Sequence, residues 1–390
     1  MSSRQATSLR DPTRRRFLSR SALAALGWLT LPACGGAGAR DLSARARELH
    51  RESFVLDLHV DSILWTRMFG YDLGREHRNR VPFHPFGWHV DWPRAIEGGL
   101  DAAVMGLVIN PDEVRPELML PLRILARFES GERDRGLAQT LATLDLLAEE
   151  ASRHPDRFAL VLRGSELETR SGDGRVAGLA GLEGSHGIGG DLAGVARAYE
   201  RGLRMIGLVH FQATEVGYPM TVASFDGQGL TPYGRDMLSE MDRLGIVADI
   251  AHLNAAGVDD VLASVKRPFV VSHTACAAVH DHPRNLTDDQ LRRIAAAGGV
   301  VGIAVGRSFL GGAHIDRFLD HVEHAARVAG PDAVAIGSDW DGFIVPVDGL
   351  EDVRGLPNAT AGLLARGWDE DAIRGFLGRN ALRVLVDVTG

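Results

Sequence analysis

The chain is predicted to fold as an α/β protein, a (β/α)8 TIM-type barrel, on three observations. Short apolar β-type runs alternate with amphipathic helical stretches from residue 54 to residue 386, which favours a parallel barrel over a doubly wound sheet. At least six of those runs carry a carboxylate or histidine at or just past their last residue: Asp57–His59–Asp61, Glu183, His210, Asp249–His252, His273 and Asp339. The 390 residues, 45% hydrophobic and 24% charged, are enough for one large domain with a sizeable core. In such a barrel all strand C-termini point to one rim, so residues distant in sequence meet in one bowl.

Residues 1–33 read as an address rather than as part of the fold. Thr13–Arg14–Arg15–Arg16–Phe17–Leu18 precedes an apolar stretch from Ala22 to Leu31, the layout of an export signal that resembles the twin-arginine type. That stretch is too short to span a bilayer as a helix. Leu31–Pro32–Ala33–Cys34 resembles a bacterial lipobox, which would place a lipid on Cys34 and tether the protein to the periplasmic side of a membrane. Ala37–Gly38–Ala39 offers a competing cleavage site that would leave a soluble periplasmic or secreted protein. Residues 34–48 are then tether and lead-in, and 49–390 the barrel. Cys276 has no partner once Cys34 is lipidated and reads as a small buried apolar residue.

A helix around Asp41–Arg51 leads into the first strand, Phe54–Asp57. Further strands are expected at Ala102–Val108, Val176–Leu182, Met205–Val209, Val247–Ile250, Phe269–Ser272, Val300–Ala304 and Ala333–Gly337. Phe158–Leu162 makes one more than eight and is set aside as an extra, because no ligand-type residue follows it closely. Amphipathic helices are expected at Leu137–Ser152, Asp191–Arg201, Pro232–Leu244, Asn254–Ser264, Asp288–Ala297, Ile315–Ala329 and Glu370–Val386, with stop signals such as Gly245 and Gly330–Pro331. His321 and His324 flank the apolar stripe of Ile315–Ala329 and read as helix surface. Residues 66–98, with His77, His84 and His89, break the rhythm and read as a long loop over the bowl, where substrate contacts usually lie.

Composition excludes several functions. The formal net charge is −8 although the leader is arginine-rich, so the body is acidic and lacks the basic stripe that nucleic-acid binding needs. Lys266 is the single lysine, which argues against Schiff-base chemistry. No G-x-S-x-G elbow is present, and the glycine-rich run Gly184–Gly190 misses the dinucleotide spacing.

His59 and Asp61 are two apart, so both project to one side of an extended strand and can grip one ion. His252 and His273 close separate strands and would supply imidazoles to a second ion. Nitrogen and carboxylate ligands suit zinc or a similar metal. Two such ions close together can activate a shared water and polarise a carbonyl, which makes the chain a candidate binuclear metallo-dependent hydrolase. Lys266 lies on the wrong side of its strand to bridge as a carbamate, which leaves Glu183 as the bridge. Asp249 and Asp341 read as structural hydrogen-bond acceptors, Asp57 as either that or a ligand, His186 as a supporting residue, and His280 and His282 equally as metal-binding or as a turn-stabilising pair.

The set resembles the membrane (renal) dipeptidases, zinc exopeptidases on an amidohydrolase-like barrel. The motifs that carry the resemblance are the His59/Asp61 pair, Gly181–Leu182–Glu183–Gly184–Ser185–His186, Gly229–Leu230–Thr231–Pro232–Tyr233–Gly234, Ala248–Asp249–Ile250–Ala251–His252, Ser272–His273, His282–Pro283–Arg284–Asn285 and Gly337–Ser338–Asp339–Trp340–Asp341–Gly342. They run through residues 50–390 in family order. The resemblance implies two Zn2+ held by His59 and Asp61, by His252 and His273, and bridged by Glu183. It implies that a metal-bridging hydroxide cuts dipeptides into free amino acids. It also implies that His210 polarises the scissile carbonyl, that Arg284 receives the substrate's C-terminal carboxylate, and that Asp339 carries a proton from water to the leaving amine. A homodimer is a further family expectation. The chain lacks the paired cysteines of the animal members, and any anchor is expected at its N-terminus. Rival readings are an amidohydrolase-type enzyme acting on N-acyl amino acids or cyclic amides, and a non-catalytic binding lipoprotein.

Overall fold

The computed structural model describes residues 36–77, 87–109, 136–171 and 173–390. The arginine-rich leader, Cys34 and His84 lie outside them. Nine parallel strands follow in chain order: β1 Leu56–Val60, β2 Ala102–Val108, β3 Phe158–Leu160, β4 Val176–Glu183, β5 Leu203–Gly207, β6 Val247–Asp249, β7 Val270–Thr274, β8 Val300–Ile303 and β9 Val334–Ile336. All are buried on both faces except β3, as expected of a parallel sheet covered by helices.

Eight strands close the barrel, because β2 pairs with β1 on one side and with β4 on the other, in register from Ala102↔Ala177 to Val108↔Glu183. The set-aside strand β3 stays out of the ring. It pairs Phe158↔Val176 to Leu160↔Gly178, below the point at which β5 takes over that edge of β4 at Ala180. Its Phe158 ring stacks on Trp92 with centroids 4.3 Å apart and lies against Gly178, where a Cβ would come within 2.4 Å of the ring.

Leu56, Leu58, Val104, Leu179, Met205, Val247, Val270 and Val300 form one apolar cluster that fills the barrel, with Val384 and Leu385 of the last helix packed into it. A strict two-residue period would therefore send Leu56 and Leu58 inward and His59 outward. The register prevents that. Asp57 pairs with Ala103 and Val60 with Met105, so Leu58 and His59 together face Val104 in a β-bulge that turns the histidine into the barrel. The same device recurs on β7, where Ser272 and His273 together face Gly302, between Val271↔Val301 and Thr274↔Ile303.

The expected helix Glu370–Val386 forms as Glu370–Arg374 and Asn380–Thr389 joined by a π-type turn at Gly375–Arg379. Close packing explains the turn. A Cβ at Gly378 would sit 2.3 Å from the carbonyl oxygen of Phe54, and the Asn380 amide donates to the carbonyls of Pro331 and Val334, both at 2.8 Å. Short helices at Ser62–Phe69, Gly164–Ser171 and Leu356–Ala365 lie where the sequence showed no clear period. Among the described residues, no helix is long and apolar enough to cross a membrane.

Two expectations need correction. His321 is fully buried rather than on the helix surface: its Nδ1 accepts from the Cys276 N–H at 3.0 Å, so its Nε2 carries the proton and donates to the carbonyl of Leu310 at 3.2 Å. The helix Ile315–Ala329 packs along more than one face, and His321 satisfies backbone groups there. His324, by contrast, is only part-buried and meets Asp288 at 2.7 Å. Cys276 is buried as expected, and burial pushes its thiol up to about 12.

The described residues of the stretch 66–98 are not simply a loop over the bowl. The segment includes the helix Trp92–Glu97 and is clamped to the scaffold from beneath. Asp341 accepts from the Ser62 hydroxyl and from the His89 N–H at 2.7 Å, and the Trp65 indole donates to the Asp341 carbonyl at 2.7 Å. Buried Arg94 joins Asp91 at 2.8 Å and Asp352 at 3.2 Å.

Candidate metal centre

The strand ends bring the sequence-predicted residues together. Glu183, the last residue of β4, puts its Oε1 at 3.1 Å from Nε2 of His252, 3.5 Å from that of His273, 3.5 Å from that of His210 and 3.6 Å from that of His59. His59 and His273 project from the bulges of β1 and β7, and His210, His252 and Asp339 each lie three residues beyond a strand. Asp61 stands at the N-cap of the helix Ser62–Phe69 but makes no capping hydrogen bond, although that is the usual use of an aspartate there. Its Oδ1 lies 3.2 Å from His59 Nε2 instead. His252 and Asp339 hold left-handed backbone, with φ of 68° and 63°, a conformation that clusters at functional sites when the surroundings enforce it.

The donor set fits divalent cations. Three groups each bring one ligand atom within 4.8 Å of the others: His59, Asp61 and Glu183; Glu183, His252 and His273; and His59, His273 and Asp339. His252 and His273 point Nε2 at Nε2 across 2.9 Å. His59 Nε2 and Asp61 Oδ1 are buried 3.2 Å apart with their hydrogen-bonding capacity unfilled by a well-aligned partner, as atoms that share a cation would be. Burial, with Asp61 next in weight, pushes the carboxyls of Glu183 and Asp339 well above the usual range. Burial pushes His210, His252 and His273 well below theirs. Neutral imidazoles are ready as ligands, and a dication is what makes ionised carboxylates acceptable at this depth. On His59 burial is outweighed by Asp61 and Glu183, whose charges raise it.

The supporting residues behave as the sequence suggests. Ser272 Oγ donates to Asp249 at 2.6 Å and lies 3.0 Å from His273 Nδ1, so Nδ1–H donates to the hydroxyl and the Nε2 lone pair faces the cluster. Asp249 also accepts from the Ser272 and Ala251 N–H groups, and Asp57 from those of His59 and Ser338; neither belongs to the three clustered donor groups. Lys266 is exposed ahead of β7 and far from bridging.

A cavity of about 290 Å³ opens over the cluster. Asp61, Glu183, His210, His252, His273 and Asp339 form its floor, and Phe211, Phe309, Phe343 and Ile344 are among its walls. None of the described residues 66–98 lines it. Arg284 is buried at its side with weak partners only: Met220 Sδ and the His273 carbonyl, both at 3.4 Å, with Nε unpartnered. Burial lowers its guanidinium to about 10, against the pull of Asp339 and Glu183. His282 Nδ1 accepts the Arg284 N–H at 3.1 Å, which of the two readings favours turn stabilisation over metal binding.

Sequence reasoning missed two glycines that make room for the ligands. A Cβ at Gly106 on β2 would sit 2.2 Å from Asp61 Oδ1 and 3.0 Å from the His59 ring, and one at Gly342 would meet Asp339 Oδ1 at 2.3 Å. An isolated glycine inside the apolar run Ala102–Val108 was the available signal. Gly106→Ala is expected to displace Asp61 and lower affinity for one cation by roughly 10- to 100-fold, as disturbing groups beside a ligand does. Metal analysis of the dialysed variant checks it, with loss of about half the bound metal as the expected result.

A model described as membrane dipeptidase, peptidase family M19, matches residues 43–389. Dipeptidase verJ of Clonostachys rogersoniana is 35% identical over 267 residues, 67% of this chain and 67% of its own. Solved structures that share the barrel include two metallopeptidases. Dipeptidase AC, a metallopeptidase of family M19, aligns over 87% of this chain and 99% of its own with a TM-score of 0.73 and 29% identity. A metallopeptidase from Rhodobacter sphaeroides, liganded with a phosphinate mimic of the dipeptide L-Ala-D-Ala, aligns over 86% of this chain and 100% of its own with a TM-score of 0.72 and 27% identity.

Proposed function

The chain belongs to the membrane dipeptidase family, peptidase family M19, and from that premise we propose which residues carry its activity. It is a metal-dependent dipeptidase, a hydrolase acting on peptide bonds. The observation that carries the assignment is the single carboxylate oxygen of Glu183 within 3.6 Å of four histidine Nε2 atoms. His59 and Asp61 would hold one zinc ion, His252 and His273 a second, and Glu183 both. When bound, the two cations polarise the peptide carbonyl and lower the pKa of an attacking water.

The chain's own residues do the rest. Arg284 pairs with the substrate's C-terminal carboxylate, for which its planar fork and weak existing partners leave it available. His210, kept neutral by burial, donates a hydrogen bond from its imidazole to the carbonyl oxygen as that oxygen gains charge. A carboxylate oxygen of Asp339, within 4.8 Å of ligand nitrogens of His59 and His273, takes the proton released by the water and passes it to the leaving amine. The phosphinate dipeptide mimic bound by the Rhodobacter sphaeroides relative supports a dipeptide in this cavity.

The test is metal analysis beside a panel of L,L and L,D dipeptides. Two free amino acids should appear from each substrate and none from N-acetyl amino acids, with activity lost on chelation and restored by zinc. Undiminished cleavage after chelation would sink the assignment. Twin-arginine export, lipid attachment at Cys34 and homodimer formation belong to the same reading and rest on the leader and on family likeness. Cys34→Ala is expected to move the protein from the membrane fraction to the soluble periplasm, checked by fractionation; equal membrane retention of both forms would remove the anchor.

A further inference from the structure

The geometry points to a side-chain subsite: we infer that Phe309 selects dipeptides whose C-terminal residue carries an apolar, preferably aromatic, side chain. The inference rests on Arg284 receiving the terminal carboxylate. A carboxylate paired to a guanidinium brings the Cβ of its own residue to roughly 6 Å from the guanidinium carbon, once one hydrogen bond and two carbon–carbon bonds are traversed. The Phe309 ring lies at that range, with the Arg284 Cζ 5.8 Å from its centroid. Arg284 and the Phe309 ring line the same cavity, so a C-terminal side chain turned toward that wall has the ring within reach.

The ring is held, not loose. It meets His282 edge-on with centroids 5.3 Å apart, and Gly306 packs beneath it, where a Cβ would stand 3.0 Å from the ring edge. It remains half-buried on the cavity wall, so a face is left for substrate. Ile344 and Pro283 line the cavity with it. Among the described residues that line the cavity, every carboxylate belongs to the metal floor: Asp61, Glu183 and Asp339. A cationic C-terminal side chain would thus sit beside Arg284 without an acidic partner of its own. An acidic one would compete with the terminal carboxylate for the same guanidinium. An apolar one gains burial, and an aromatic one gains ring–ring contact as well.

The test uses zinc-loaded enzyme and phosphinate analogues of Ala-Phe, Ala-Ala and Ala-Asp, bound by calorimetric titration, alongside hydrolysis of the parent dipeptides. The Ala-Phe analogue should bind roughly 10- to 100-fold more tightly than the Ala-Asp analogue. Phe309→Ala should reduce the Phe-over-Ala binding ratio by about tenfold or more, and Phe309→Leu should restore part of it. Equal affinities for the three analogues, or an unchanged ratio in Phe309→Ala, overturns the subsite even if every dipeptide is still cleaved. The expected ranking of analogues without hydrolysis of any dipeptide supports the subsite and overturns the catalytic assignment instead.

Discussion

Glu183→Gln is expected to lower kcat by roughly a thousandfold or more, which is about 4 kcal/mol of transition-state stabilisation, and to halve or abolish metal binding. The amide keeps the volume and one carbonyl oxygen but not the charge. In the structure the Oε1 of Glu183 is the point on which His59, His210, His252 and His273 converge. Among the described residues no other carboxylate oxygen lies as close to both halves of the cluster: Asp61 serves the His59 side, and Asp339 approaches His59 and His273. Misfolding would give the same loss of activity, so a second measurement separates the two. Burial and the neighbouring Asp61 already disfavour the charged carboxylate at this position. Chelated Glu183→Gln should therefore melt no lower than chelated wild type. A variant that melts normally yet keeps full metal content and turnover would remove Glu183 from the centre.

Arg284→Met is expected to reduce kcat/KM on dipeptides by roughly 100- to 1,000-fold, about 3–4 kcal/mol, the scale of a charge-assisted pair formed in a buried site. The side chain fits the site in volume, so the loss reports the missing cation. Its present partners, Met220 Sδ and the His273 carbonyl at 3.4 Å, are too weak to be its main purpose. A buried guanidinium with an unpartnered Nε is costly unless an anion completes it. The decisive comparison uses dipeptide amides, which lack the terminal charge. Wild type should lose on amides about what Arg284→Met loses on free acids, and the variant should lose little more on amides. Arg284→Lys should recover only part of the difference, since an ammonium cannot pair bidentately. Equal losses on acid and amide by every form would place the carboxylate elsewhere.

The makeup of the cluster was legible because side-chain type is local. His59, Asp61, Glu183, His210, His252, His273 and Asp339 each follow or end an apolar run, and a parallel barrel sends every such end to one rim. The surplus strand was legible too, since Phe158–Leu160 has no ligand after it and indeed pairs outside the ring. What failed concerned faces rather than residue types. The apolar stripe of Ile315–Ala329 gave no sign that His321 would be buried against Cys276. The aromatic and histidine content of residues 66–98 suggested substrate contacts, but the His89 N–H is engaged by Asp341, a residue some 250 positions away.

The sequence by itself determined the alternation of strand and helix, the order in which ligands arrive and the kind of ion they suit, because propensity, hydrophobic period and donor chemistry belong to single segments. Only the tertiary structure decided which way those ligands face. The bulges opposite Val104 and Gly302 turn His59 and His273 into the barrel, and Gly106 leaves the space that Asp61 occupies. Register and close approach are properties of pairs of strands, and no single run of residues encodes both partners.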